Sequence, residues 1–239
     1  KPLSRMKETM SIIRAALAGE KIAFQGEHFR LPLPGGEGKA IRLSQPPNPD
    51  LPIYLATLGP RSLKYTGESA DGWIGTAFAP ERAEALLDPI SEGAKEAGRD
   101  IKSIDIHVGA ATVQFGDDIE SLVQPLKMSK GFTLGAMGSK ANNFYNDAYS
   151  RSGWAEASRL VQELWLDGSR DEAAAAVPTK MVTLTNLLGT EKMIKERLLA
   201  YQNSGVTTLK VSPAGSSLEE RIDVLGKVVD LANNLPSGV

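Results

Sequence analysis

The 239-residue sequence has no cysteine and only two histidines, His28 and His107. A disulfide scaffold, an iron–sulfur cluster and a zinc–thiolate site are thereby excluded. A metal held by carboxylates alone is not excluded, but no spacing points to one, and none is expected. Charge of one sign is also missing. Lys and Arg number 27 against 29 Asp and Glu, for a net charge of −2, and no segment concentrates the basic residues. Neither nucleic acid nor an anionic membrane is expected as a partner. No apolar run approaches the roughly 20 residues of a membrane helix, and no signal peptide leads the chain, so the expected compartment is the cytoplasm. There is no internal repeat. What remains is an ordinary hydrophobic fraction of 41%, enough for a packed core.

The chain opens without Met on KPLSRMKETMSIIRAALAGE, where Met6, Met10, Ile13 and Leu17 recur at three- and four-residue steps and Gly19 ends the pattern. This predicts an amphipathic helix whose apolar face needs a neighbour, and hence a fragment of a longer protein. IAFQGEHFRL reads as a short hairpin, followed by a Pro/Gly-rich connector up to Asp50. LPIYLAT (51–57) is a buried-strand run that passes directly into a helix from Pro60 to Ser69. DGWIGT (71–76) predicts the next strand, and 80–98 a helix with Gly98 as its left-handed cap. Asp105 to Phe115 predicts a third strand. A helical region then runs from Ile119 to Ala176, interrupted by the loop FTLGAMGSKANNFYND. TEKMIKERLLAYQNSG is a helix stopped by Gly205, and VTTLKVSP a fourth strand. Ser217 and Glu220 form a capping-box signature for a final helix carrying Ile222, Leu225 and Val229. Alternating strands and helices predict an α/β fold with a parallel sheet, either a small open sheet or half of an eight-stranded barrel.

Ligands of such folds sit at the C-terminal ends of strands. The stretch LATLGPRSLKYTGESADGW places Thr57 at a strand end, a turn at Leu58 and Gly59, and Pro60 at the first helical position. Gly59 admits close approach of a ligand. The N–H groups of Arg61, Ser62 and Leu63 at a helix N-terminus, with the Ser62 hydroxyl, suit a cofactor phosphate. Spacing alone also fits an ordinary βα connection. Elsewhere the signals are structural. His28 reads as a surface residue, His107 as a buried, hydrogen-bonded one, Asp71 as a backbone cap, and Asp117 and Asp118 as a solvated helix start. Met137, Phe144 and Tyr145 would wall a substrate, line a subunit interface or simply pack. Trp154 and Trp165 lie eleven apart, at core spacing.

ATLGPRSLKYTGESADGW resembles the signature of the coenzyme F420-dependent branch of the luciferase-like family. GAMGSKANNFYNDAYSRSGW, DEAAAAVP, LLGT and RLLAYQNSGVTTLKV are similar to segments that follow in the same order. The resemblance implies a (β/α)8 barrel of which this single domain, 1–239, supplies strands five to eight. It implies a parent oxidoreductase that transfers a hydride between a small organic substrate and the deazaflavin F420. The alternatives are an FMN-dependent monooxygenase and a non-catalytic half-barrel that self-associates. Ala56, Thr57, Leu58, Gly59 and Pro60 match the turn that lies along the deazaflavin, and with Ser62 the place where flavin members hold the FMN phosphate. Thr76 matches a substrate-side position; Ala79 stands where sugar-phosphate-oxidising relatives carry Lys, which argues against such a substrate. The family's catalytic His and Glu would lie upstream of Lys1, so no catalytic residue is assigned. A half-barrel leaves the strand edges at 51–57 and 207–212 open, which implies a homo-oligomer or association with an N-terminal half.

Overall fold

The computed structural model describes residues 1–139 and 141–236. The chain divides into two compact units, Lys1–Ile53 and the remainder from Tyr54 onward. In the first, α1 (Pro2–Leu17) is followed by an antiparallel hairpin of β1 (Phe24–Gln25) and β2 (Arg30–Leu31). Glu8 of α1 ties them together: its carboxylate accepts the N–H groups of Glu27, His28 and Phe29 at 2.7–2.9 Å. Burial alone would raise the Glu8 pKa, but these three bonds outweigh it and the carboxyl sits below its ordinary value. His28, expected on the surface, is half-buried at the hairpin turn, its Nε2 2.6 Å from the Ser4 hydroxyl.

In the second unit, β3 (Tyr54–Leu55) leads into α2 (Pro60–Ser69), β4 (Gly72–Gly75) into α3 (Glu84–Glu96), and β5 (Asp105–Phe115) into α4 (Ile119–Ala136). A helical excursion follows: α5 (Phe144–Tyr149), a kink over Ser150–Trp154, α6 (Ala155–Leu166), α7 (Arg170–Ala175) and α8 (Thr179–Leu184). The chain then returns through β6 (Leu187–Gly189), α9 (Glu191–Asn203), β7 (Thr208–Pro213) and α10 (Leu218–Asn233). All strand pairs in the sheet are parallel. His107 pairs with both Ile74 and Thr208, and Val113 with both Leu187 and Pro213. Strand β5 is therefore the spine, with β4 and then β6 along one edge and β7 along the other.

The four expected strands are present, and β6 is a fifth. Its three residues are too few to show a period of two, so LLG carried no strand signal. Helix α4 also continues through Phe132–Ala136, which the sequence reading gave to a loop. Gly135 there is not a breaker but a contact: a Cβ on it would stand 2.3 Å from the Trp165 side chain. Among the described residues the sheet is open and no helix is long and apolar enough to cross a membrane.

One face of the sheet is packed. Trp73, Ile106 and Val108 point into it and are buried with Leu63 and Ile90 of the helices. On the opposite face Ile74 is 45% exposed, which is unusual, since parallel sheets are ordinarily covered on both sides. Helices α2 and α3 meet backbone to backbone. A Cβ on Gly67 would lie 1.9 Å from the Ile90 carbonyl oxygen, and one on Gly93 1.8 Å from that of Lys64. Arg99 caps the far end of α2, donating to the carbonyls of Gly67 (2.8 Å) and Ala70 (2.7 Å).

At the N-terminal end of the strands, the Asp105 carboxylate joins three of them. It accepts from the Tyr54 hydroxyl of β3 at 2.8 Å, from Thr208 of β7 at 3.1 Å, and from Thr207. Burial pushes the Asp105 pKa up, but the bonds from Thr207, Tyr54 and Thr208 outweigh it and the net shift is downward.

Gly93→Ala should lower the unfolding free energy by about 2–3 kcal/mol because the new methyl overlaps a backbone carbonyl. Gly226→Ala in α10, where nothing lies within 4 Å, should be neutral or stabilising by up to about 1 kcal/mol. Chemical denaturation of both variants checks the opposite signs. For Asp105 the folded pKa is the lower one, so its contribution is complete above the unfolded value of about 3.9 and fades as pH falls through the folded value. Asp105→Asn should cost about 1–2 kcal/mol at pH 7 and lose less stability than wild type when melts are repeated below pH 4.

Candidate functional site

Two features lie at the C-terminal end of the parallel strands: the turn after β3 and a cavity beyond β4 and β5. In the turn, Ala56 and Pro60 are exposed, Leu58, Gly59 and Ser62 half-buried, and Thr57 buried. Its carbonyls are occupied. The Thr57 oxygen accepts Trp73 Nε1 at 2.8 Å, and the Leu58 oxygen accepts Arg151 Nη2, whose Nη1 reaches the Ala85 carbonyl of α3 at 2.9 Å. The Thr57 hydroxyl is paired with that of Thr66 at 2.7 Å. The Gly59 oxygen accepts the N–H groups of Ser62 (3.0 Å) and Leu63 (2.9 Å) and the Ser62 hydroxyl (2.9 Å).

Two of the three N–H groups expected to be free, those of Ser62 and Leu63, are thus engaged within the turn. Among the described residues, those of Leu58, Gly59 and Arg61 have no partner. The turn is thus unbalanced: the carbonyls of Thr57, Leu58 and Gly59 are bonded within the fold, and these three donors are not. Gly59 itself has φ −75° and ψ 145°, a conformation open to any residue. A Cβ on it would meet only the Ser62 Oγ, at 3.5 Å. Neither backbone geometry nor internal packing requires glycine here, which leaves close approach from outside as its physical use.

The cavity measures about 390 Å³. Thr76 lines it, together with Thr112 of β5, Lys130 of α4 and Tyr149 of α5. Ala77 stands at φ +58°, a left-handed conformation that costs about 1 kcal/mol for a residue with a side chain. This kink lets both Thr76 and Phe78 face the cavity. Phe78 stacks on Tyr201 at 6.1 Å and meets Trp73 edge-on at 6.2 Å, so one aromatic column connects the cavity floor to the ring that holds Thr57. Burial pushes the Tyr201 pKa up to about 12. Its hydroxyl stays protonated at neutral pH and serves packing.

Of the sequence-predicted site residues, the structure gathers Ala56 to Pro60 and Ser62 in one turn and sets Thr76 in the cavity at the same end of the sheet. Met137 and Tyr145 join the cavity lining, whereas Phe144 does not. His107 is half-buried on β5, beside the open face. Asp118 caps α4, accepting from Ser121 N–H at 3.2 Å, a structural role as expected. Sequence reading missed Arg151, Lys130 and Tyr149. Arg151 lies 93 positions from the carbonyl that it holds, and no local period reports such a contact. The one available signal was glycine and serine inside a helical run, RSGW, where Gly153 takes φ +85° and the helix kinks.

The pattern described as luciferase-like monooxygenase matches residues 1–208. The chain belongs to the luciferase-like monooxygenase family. Among its curated relatives is a Mycobacterium tuberculosis protein named "Putative coenzyme F420-dependent oxidoreductase Rv3520c". It is 31% identical over 228 residues, which cover 92% of this chain and 65% of that protein. A 5,10-methylenetetrahydromethanopterin reductase of Methanolobus tindarius is 27% identical over 230 residues, covering 95% and 66%. This luciferase-like chain thus spans just under two thirds of the length of either. Among solved structures, the coenzyme F420-dependent tetrahydromethanopterin reductase of Methanopyrus kandleri superposes with a TM-score of 0.70 at 23% identity, over 94% of this chain and 62% of that one. An F420-dependent secondary alcohol dehydrogenase gives 0.67 at 17% identity, over 94% and 60%. Those likenesses establish the fold: that of the luciferase-like α/β barrels, with the barrel not closed here.

Proposed function

We propose that the parent protein is a cytoplasmic F420-dependent oxidoreductase, and that this chain supplies its cofactor-facing turn and a wall of its substrate cavity. The observation that carries the reading is the turn after β3, its acceptors bonded inward and the N–H groups of Leu58, Gly59 and Arg61 unpartnered. It lies in a family whose members matched above include F420-dependent enzymes. When bound, F420 supplies a ring carbon that accepts or gives up a hydride. The chain's own residues bind and orient. The three N–H groups would donate to acceptor oxygens of the cofactor, Ala56 and Gly59 would leave room for it against the backbone, and Arg151 with Trp73 fixes the turn. Thr76 marks the substrate side. FMN is the alternative, as in a monooxygenase. The F420-dependent relatives reported above favour the deazaflavin.

Titration of F420 by fluorescence quenching tests the reading, with FMN in parallel. Gly59→Val should weaken F420 binding at least tenfold while the melting temperature stays unchanged, because the valine is tolerated by the fold and felt only by the ligand. Equal affinity in wild type and variant, or tighter binding of FMN, would refute it.

We also propose that the five strands are the C-terminal part of the barrel and that a second copy of the chain covers what they leave open. Three features support this: the β7 edge, the 45% exposed Ile74, and a stripe on α10. In that stripe Leu218, Ile222, Leu225 and Val229 recur at helical spacing and stay 41–74% exposed. Apolar surface left wet forgoes about 25 cal/mol per Å². Light scattering should return about twice the chain mass of 25.6 kDa; a monodisperse monomer at micromolar concentration contradicts it.

A further inference from the structure

Lysine 130 is a cation without a counter-ion. It projects from α4 into the cavity at the strand ends, where its Nζ lies 2.6 Å from the Tyr149 hydroxyl and 3.4 Å from the Thr185 Oγ1. The ammonium also stands over the Tyr149 ring, 4.9 Å from its centre. Both oxygen partners are neutral, and no carboxylate pairs with it among the described residues. Its nearest basic neighbour on the helix behaves otherwise: Lys127 has Glu120 at 3.9 Å.

A half-buried ammonium held only by hydroxyls and a ring face is incompletely compensated. Removal from water costs it hydration, and neutral partners return only part of that. An ammonium has three protons to donate, and Tyr149 and Thr185 take two. Tyr149 is itself buried, so the pair is a built fixture of the cavity and not a surface lysine at rest. Around it the wall divides by character. Thr76, Thr112 and Thr133 are polar, while Phe132, Met137 and Tyr145 form an apolar and aromatic flank.

We propose that Lys130 is the recognition point for an anionic headgroup, a carboxylate or a phosphate, on a substrate whose body is apolar or aromatic and lies along Phe132, Met137 and Tyr145. The proposal rests on the reading above only in taking this cavity as the substrate side. Its volume of about 390 Å³ suits a small organic acid or phosphate monoester. The anion takes the third Nζ proton, replaces the missing counter-charge, and fixes one end of the substrate relative to Thr76 at the end of β4.

The test uses the 239-residue chain and calorimetric titration with phenyl phosphate, benzoate and the uncharged benzyl alcohol. Wild type should bind at least one anion tenfold more tightly than the alcohol, with affinity falling as salt rises. The tighter of the two anions identifies the headgroup. Lys130→Met, which keeps the side chain's length and apolar stem, should abolish the preference and leave benzyl alcohol binding within threefold. Lys130→Arg should retain the preference within threefold. Equal wild-type affinity for charged and neutral probes overturns the proposal without any variant. So does an anion affinity unchanged in Lys130→Met, or no anion binding up to about 10 mM. F420 titrated against the same preparations keeps the two readings apart. Anion binding that needs Lys130 in a chain that ignores F420 sinks the cofactor assignment alone, and the converse sinks this one alone.

Discussion

The contact on which the rest of the second unit depends is the one between α2 and α3. Helices ordinarily pack with side chains between them at 8–10 Å; here the side chains are absent at the crossing, and Gly67 and Gly93 bring backbone against carbonyl. That fixes the height of α2 above the sheet, and α2 begins at the turn where Pro60 follows Gly59. Arg99, holding the last carbonyls of α2, fixes the other end. With α2 pinned at its middle and its far end, the turn before it has little freedom. Trp73 and Arg151 then settle which of its polar atoms face inward.

The same economy governs the strand ends. Asp105 gathers β3, β5 and β7 at the bottom of the sheet, and the Trp73–Phe78–Tyr201 column fills the space above it. Trp73, one register step from Asp105, starts the column that runs on to the cavity, so the far end of the sheet is stiffened by apolar contacts and by hydrogen bonds to the carbonyls of the turn. Lys130 stands at that end with the ring and hydroxyl of Tyr149 already in place.

Much of this was legible in the sequence wherever the signal was local. The bounds of α2 follow from Pro60 and the Ala70–Gly72 stop. The whole of β5, Asp105–Phe115, could be read from its Val- and Ala-rich run, and the capping box at Ser217 and Glu220 forms as read. The turn at Ala56 to Ser62 was visible because glycine and proline punctuate it. What stayed hidden was non-local or too short. Strand β6 has three residues and no period. Arg151, Lys130 and Tyr149 lie on a helical excursion and meet the site only through tertiary packing. Glycine misled in both directions: Gly135 ends no helix but admits Trp165, and the N–H groups of Ser62 and Leu63 turn back onto Gly59 instead of facing a ligand.

The glycines also sort the chain by its tolerance of change over generations. Gly67 and Gly93 are locked, because any other residue there collides with a carbonyl of the facing helix. Gly59 is not: its backbone angles suit every residue, and its nearest obstacle is a hydroxyl at ordinary contact distance. A lineage carrying this scaffold can therefore alter the surface of this turn at little cost in folding, while the glycines at the α2–α3 crossing cannot drift. Stability and ligand preference rest on different positions, and selection can act on the second without endangering the first. Such a partition is what lets one barrel architecture acquire new cofactors and substrates while its framework stays constant.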